Sequence, residues 1–408
     1  MREVWDRLKG QAEEAAEWLG KDLEEVFVCS VEGVGAGSIN GETKKKIVAA
    51  VEKTRSLLLT RTLEQHRPRK DRHVQGWKQR DKISCSWILA GPGVDTSLTS
   101  AEFCEAAAAN LCLPSPACKG RIGEVVRGRV KIDKYGDNVQ ATNVRGDHWR
   151  TRHDQVKMTL FNLCQWAGLP VEMEVFNLFS RFIPQQGLSR IEMGRQRQGM
   201  VPDFKIVIPE AGQTKPVLHE LKVISVSKTR YRPGWRDRAV DVRATELHTE
   251  YVVKARGADQ RYGGVAVGTV GPVESKLLSY GRVKGLVFGN FGEVSEATHN
   301  LLDYMATSRV RVALPQREGR RGVTRSEEGE KAVAVSYIRR RVSVAAVKGQ
   351  CVTLLGRLEV LGPGTAAAAG RRGEAKAQEL KWKRARQAML LSERQGRNII
   401  RRGFALLD

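Results

Sequence analysis

VPDFKIVIPEAGQTKPVLHELKV, residues 201–223, reads as two strands joined by a hairpin. VPDFKIVI at 201–208 and PVLHELKVISV at 216–226 are rich in aliphatic and β-branched residues, and the intervening PEAGQTKP has the Gly and Pro content of a turn. Successive strand residues point to opposite faces, so Glu220 and Lys222 share a face. With the hairpin centred between Gly212 and Gln213, Asp203 stands opposite Lys222 and Lys205 opposite Glu220, and all four side chains lie together. Two carboxylates and a lysine at one spot suit phosphodiester hydrolysis. Asp203 and Glu220 offer oxygen ligands to a hard cation such as Mg2+ or Mn2+, and Lys222 positions the attacking water or offsets charge developing on the phosphate. The plainer alternative is a cross-strand ion pair on a solvated sheet face, of little energetic consequence.

Outward from the hairpin, the pattern stays regular. An amphipathic helix is expected from Arg152 to Ala167, where Val156, Leu160, Leu163, Cys164 and Ala167 recur at helical spacing before Gly168 and Pro170 stop it. The strand VEMEVF at 171–176 follows, with Glu172 and Glu174 on one face. After the hairpin come a helix near 237–256, a strand GGVAVGTV at 263–270 and a helix near 293–306. Helix, three strands, helix and strand make an α/β domain around a central mixed sheet flanked by helices, with boundaries near 151–310.

The rest of the 408-residue chain divides into a helical, basic region at 1–82, a linker region at 83–150 and a basic, partly low-complexity region at 311–408. Within the second, Thr99 or Ser100 is a natural N-cap for a short helix. Net charge is +23, with 69 Lys+Arg against 46 Asp+Glu, and residues 311–408 alone carry 22 against 9. Such an excess selects a polyanion as partner: DNA first, with RNA sharing the same chemistry. Lys228, Arg230, Arg232 and Arg236, directly after the second hairpin strand, are placed to touch backbone phosphates beside the cleavage site. Seven irregularly spaced cysteines read as reduced thiols, and MREVWDRLKG opens without the apolar stretch of a signal peptide. A soluble, intracellular protein is expected, with nuclear character in the basic stretch at 60–82. No apolar run spans a bilayer, and no small-molecule fingerprint such as a phosphate-cradling Gly-rich loop occurs.

Several stretches together resemble the restriction-like, PD-(D/E)xK endonuclease found carboxy-terminal to the reverse transcriptase of site-specific non-LTR retrotransposons. They are SCSWILAGPGVDTSLTSAEFCEAAAANLCLP, DKYGDNVQATNVRGDHWRTRHDQVK, AGLPVEMEV, GMVPDFKIV, LHELKVISVS and FGEVSEATHNLL, spread over about residues 85–310. The resemblance implies a Mg2+-dependent DNA endonuclease with Asp203, Glu220 and Lys222 as metal-binding and catalytic residues and Glu174 as an auxiliary acid. It also implies nucleic-acid contacts from Arg152 and His153, at the family's Arg-His helix start, and from Lys254 after the core. Two departures stand out. The family's zinc knuckle is reduced here to Cys112 and Cys118, with Asn138 at the histidine position, so zinc is not expected even if His148 and His153 are counted. Polymerase motifs are absent, and the chain resembles a truncated or domesticated carboxy-terminal piece. Two other readings remain open: a nucleic-acid-binding remnant without catalysis, and a basic nuclear or ribosome-associated structural protein.

Overall fold

A computed structural model describes residues 71–361, apart from 92, 94–95, 127–129, 143–147, 193–198, 211–212, 227–230, 232–236 and 318–325. Residues 1–70 of the expected helical, basic region, residues 362–408 of the basic, partly low-complexity region, and Lys228, Arg230, Arg232 and Arg236 lie outside the described residues. Before the central sheet come α1 (Arg72–Lys78), α2 (Ser100–Asn110), a two-residue hairpin β1 (Val125–Val126) and β2 (Val130–Lys131), and α3 (Asp137–Ala141). Thr99 is the N-cap of α2, and its side chain and that of Glu102 bond each other's backbone N–H in a capping box. The core follows as α4 (His148–Trp166), β3 (Val171–Met173), α5 (Gln185–Glu192), β4 (Phe204–Glu210), β5 (Gln213–Val223), α6 (Ala239–Gly263), α7 (Pro272–Ser279), β6 (Lys284–Phe288), α8 (Glu296–Arg317) and α9 (Glu327–Leu361).

The result is a mixed α/β fold with a four-stranded sheet in the order β3-β4-β5-β6. The first three strands run antiparallel and β6 joins parallel to β5. One sheet face presents Phe204, Ile206, Leu221, Leu286 and Phe288 to α4, α8 and α9, whose Leu160, Met305 and Val342 are almost wholly buried there. The other presents Leu218 to Tyr251, Ala255 and Ala258 of α6. Glycine is required where α6 crosses β6: an ideal Cβ on Gly285 would stand 2.6 Å from the Ala244 Cα. Gly285→Ala is therefore expected to lower stability by about 1–3 kcal/mol through overpacking, read as a lower denaturant midpoint with an unchanged m-value.

Several expectations need correction. Val171–Met173 ends the third strand early because Glu174 takes a left-handed φ of 52°. GGVAVGTV at 263–270 is not a strand: Gly264 caps α6 at φ 63°, Gly268 has φ 90°, and Val267 is 87% exposed. The parallel strand is instead Lys284–Phe288, and α7 precedes it, its first backbone N–H groups at Val273 and Glu274 held by the Asp259 carboxylate at 2.9 Å each. Within the basic region at 311–408, Glu327–Leu361 forms a long helix packed along α4, with Ile338, Val342, Ala345 and Ala346 in the shared core. Among the described residues no helix is long and apolar enough to cross a membrane.

Candidate active site

Hairpin register sets the site. Glu210 pairs with Gln213 and Phe204 with His219, so one step beyond the last pair brings Asp203 level with Glu220. The expected pairing of Asp203 with Lys222 is thus displaced by two residues, a slip that preserves face because the side-chain period is two. Asp203 and Glu220 are both buried, at 8% exposure each.

Each carboxylate is held by cations and hydrogen bonds. Asp203 Oδ2 accepts from the backbone N–H of Leu221 at 2.9 Å and lies 3.4 Å from His153 Nε2, while Oδ1 accepts from Lys157 Nζ at 3.1 Å. Lys157 also donates to Glu174 Oε1 at 2.9 Å. Glu220 accepts from Lys222 Nζ at 2.5 Å and from the Tyr251 hydroxyl at 2.8 Å. The Lys222 and Glu174 side chains, at 38% and 43% exposure, open this cluster to solvent. Behind it, Lys254 donates to the Gly199 carbonyl at 2.9 Å, tying α6 to the segment that leads into Pro202-Asp203.

The two carboxylates are shifted in opposite directions. Burial pushes Asp203 up, but His153, Lys157 and Lys222 outweigh it and hold the carboxyl far below its ordinary range. Glu220 is raised, by burial first and by the Asp203 charge second, against the pull of Lys222 and Tyr251. Burial also opposes charge on His153, yet Asp154 and Asp203 prevail and lift it to about 9, so the imidazolium persists at neutral pH. Lys157 and Lys222 are both raised: burial works against them, and their carboxylate partners overcome it.

No protein-family model, curated protein or solved structure matches this chain.

Asp203, Glu220, Lys222, Glu174 and His153 gather in one cluster, with Lys254 at its edge. Arg152 does not join them: it is buried at 4% exposure and donates to the Gly289 carbonyl at 3.0 Å and to Gln350 at 3.4 Å, so it fastens α4 to α9 and the β6 end instead of meeting phosphate. Glu172 pairs with Lys205 across β3 and β4. Cys118 packs with Val139 and Leu354, Cys112 packs with Trp77 and Phe291, and His153 lies at Asp203, so these three do not converge. Lys157 and Tyr251 escaped the sequence reading. Lys157 stands one residue past Val156 in the buried stripe and four past His153, a spacing that places both cations on the same helix flank.

Asp203 and Glu220 supply oxygen donors of the kind Mg2+ and Mn2+ prefer, from adjacent strands at one sheet face, so the donor set fits a hard divalent cation. As the side chains stand, no three His, Cys, Asp or Glu among the described residues are arranged as metal ligands. Lys157, His153, Lys222, Tyr251 and the Leu221 amide hold the carboxylate oxygens instead.

Proposed function

We propose that this chain is a divalent-metal-dependent DNA endonuclease with a restriction-like core, centred on Asp203, Glu220 and Lys222. The observation that carries the reading is the register that brings Asp203 level with Glu220 while Lys222 shares their face. The order α4, β3, α5, β4, β5, α6, α7 and β6, with helices on both sheet faces, supports it.

Asp203 and Glu220 would hold the metal, which when bound polarises the phosphoryl oxygen and lowers the pKa of its water. The protein's own contribution is positional. The Leu221 amide fixes one Asp203 oxygen, and Tyr251 fixes one Glu220 oxygen, so both carboxylates are oriented before substrate arrives. Lys222, partly open to solvent, is the cation able to reach a scissile phosphate and to stabilise charge on it. Incubation of supercoiled plasmid with the full chain tests this: nicked circles with Mg2+ and none with EDTA are expected, and tight DNA binding without nicking in Mg2+ or Mn2+ counts against it.

One observation favours a second reading, a non-catalytic DNA-binding protein: each oxygen of Asp203 and Glu220 already has a protein partner. Both readings share the electrostatics. Residues 362–408 carry eleven Lys+Arg against four Asp+Glu. Removing them is expected to weaken DNA binding and flatten the slope of log K against log salt by about one unit per lost phosphate contact. An unchanged slope after truncation would show that the tail does not touch DNA.

A further inference from the structure

We propose that Lys157 is the resident cation of this site: its ammonium, which bridges Asp203 and Glu174, occupies the Asp203 oxygen that a divalent ion would take, so that metal enters by exchange with Lys157 at Asp203. The inference rests on the metal-dependent reading above and concerns a residue that reading does not use.

Three observations carry it. First, the Lys157 ammonium lies 3.1 Å from Asp203 Oδ1 and 2.9 Å from Glu174 Oε1, joining one of the two metal-binding carboxylates to the acid expected to assist them. Its side chain is only 8% exposed, so water contributes little to solvating the charge and the two carboxylates must do so. Second, the neighbouring groups make the bridge one-sided. Asp203 Oδ2 is fixed by the Leu221 amide and lies beside His153, which leaves Oδ1 as the oxygen that can change partners. Glu174 sits just past β3 in a left-handed conformation with its side chain 43% exposed, free to shift outward and keep Lys157 as its partner. Third, a divalent ion bound to Asp203 Oδ1 would stand where the Lys157 ammonium now sits, 3.1 Å from that oxygen, so the two cations cannot share it. Lys157 comes from α4, whose Val156 and Leu160 are anchored in the core, so the ammonium cannot leave far and remains a standing competitor.

The expected consequence is modest metal affinity in the absence of DNA, improved when the competitor is removed. Mn2+ binding to the full chain, followed by electron paramagnetic resonance of the free ion, tests this without reference to cleavage. Lys157→Gln should bind Mn2+ about tenfold more tightly or better, because a unit charge at ligand distance has been deleted. Lys157→Arg, which keeps the charge, should not gain affinity. Where Lys157→Gln fails to fold, Lys157→Met, a neutral chain of similar length suited to the buried path of the side chain, should show the same gain. Folded Lys157→Gln or Lys157→Met binding Mn2+ no better than wild type overturns the proposal and leaves the metal-dependent reading standing. Folded wild type and variants that all fail to bind millimolar Mn2+ overturn both together.

Discussion

Glu220→Gln is expected to bring Mg2+-dependent nicking down to background while leaving the fold as stable as wild type or slightly more so. The substitution keeps shape, and the amide oxygen still accepts from the Tyr251 hydroxyl that lies 2.8 Å from the carboxylate. What it removes is one negative ligand, with an expected loss of about a hundredfold or more in cleavage. The stability side follows from the electrostatics. Burial and the Asp203 charge raise the Glu220 pKa, so the folded protein disfavours the ionised form that a metal needs. A carboxylate kept where it costs stability is what a functional site requires, and a neutral amide relieves that cost. Plasmid nicking and urea denaturation on the same preparation read both outcomes.

Asp203→Asn behaves differently. Asp203 is held below its ordinary range by His153, Lys157 and Lys222, so its charge stabilises the fold above the carboxylate's unfolded pKa, and that contribution is lost as pH falls through the lowered one. Removing the charge leaves Lys157 and His153 short of a buried partner, at a cost of about 3–5 kcal/mol. Loss of cleavage in that variant mixes chemistry with folding, which makes Glu220 the cleaner probe.

The second large effect is on Lys222. Lys222→Ala should reduce cleavage by about 3 kcal/mol of transition-state stabilisation, on the order of a hundredfold, with DNA affinity nearly unchanged. The side chain is 38% exposed and its ion pair with Glu220 is at the solvent edge, so little packing is lost. Single-turnover cleavage beside a DNA-binding isotherm separates the two. A parallel fall in binding and cleavage would mark Lys222 as a phosphate anchor and not as part of the chemistry.

The hairpin was legible because its signal is redundant. Strand parity alone puts Glu220 and Lys222 on one face, and it survives an error of two residues in the register. The stripe Val156, Leu160, Leu163, Cys164 and Ala167 is buried as its spacing predicts. Other elements carried misleading local patterns. Alternating Val and Gly at 263–270 mimics a strand, yet Gly264 and Gly268 adopt positive φ and Val267 faces solvent. The apolar stripe of α9 is interrupted in sequence by Arg339, Arg340 and Arg341, so charge masks the helix that covers α4. Lys157 was illegible for a different reason. A lysine beside a buried stripe ordinarily reaches water with its head, and only the tertiary placement of Asp203 and Glu174 gives this one an interior partner.

Mn2+ soaked into crystals of the full chain, located by its anomalous scattering, tests whether Asp203 and Glu220 form a metal site. One peak within coordination distance of Asp203 and Glu220 is expected, with Lys157 withdrawn from Asp203 toward Glu174. Saturating Mn2+ that leaves no peak there, with Asp203 still bound to Lys157 and Glu220 to Lys222, would contradict it.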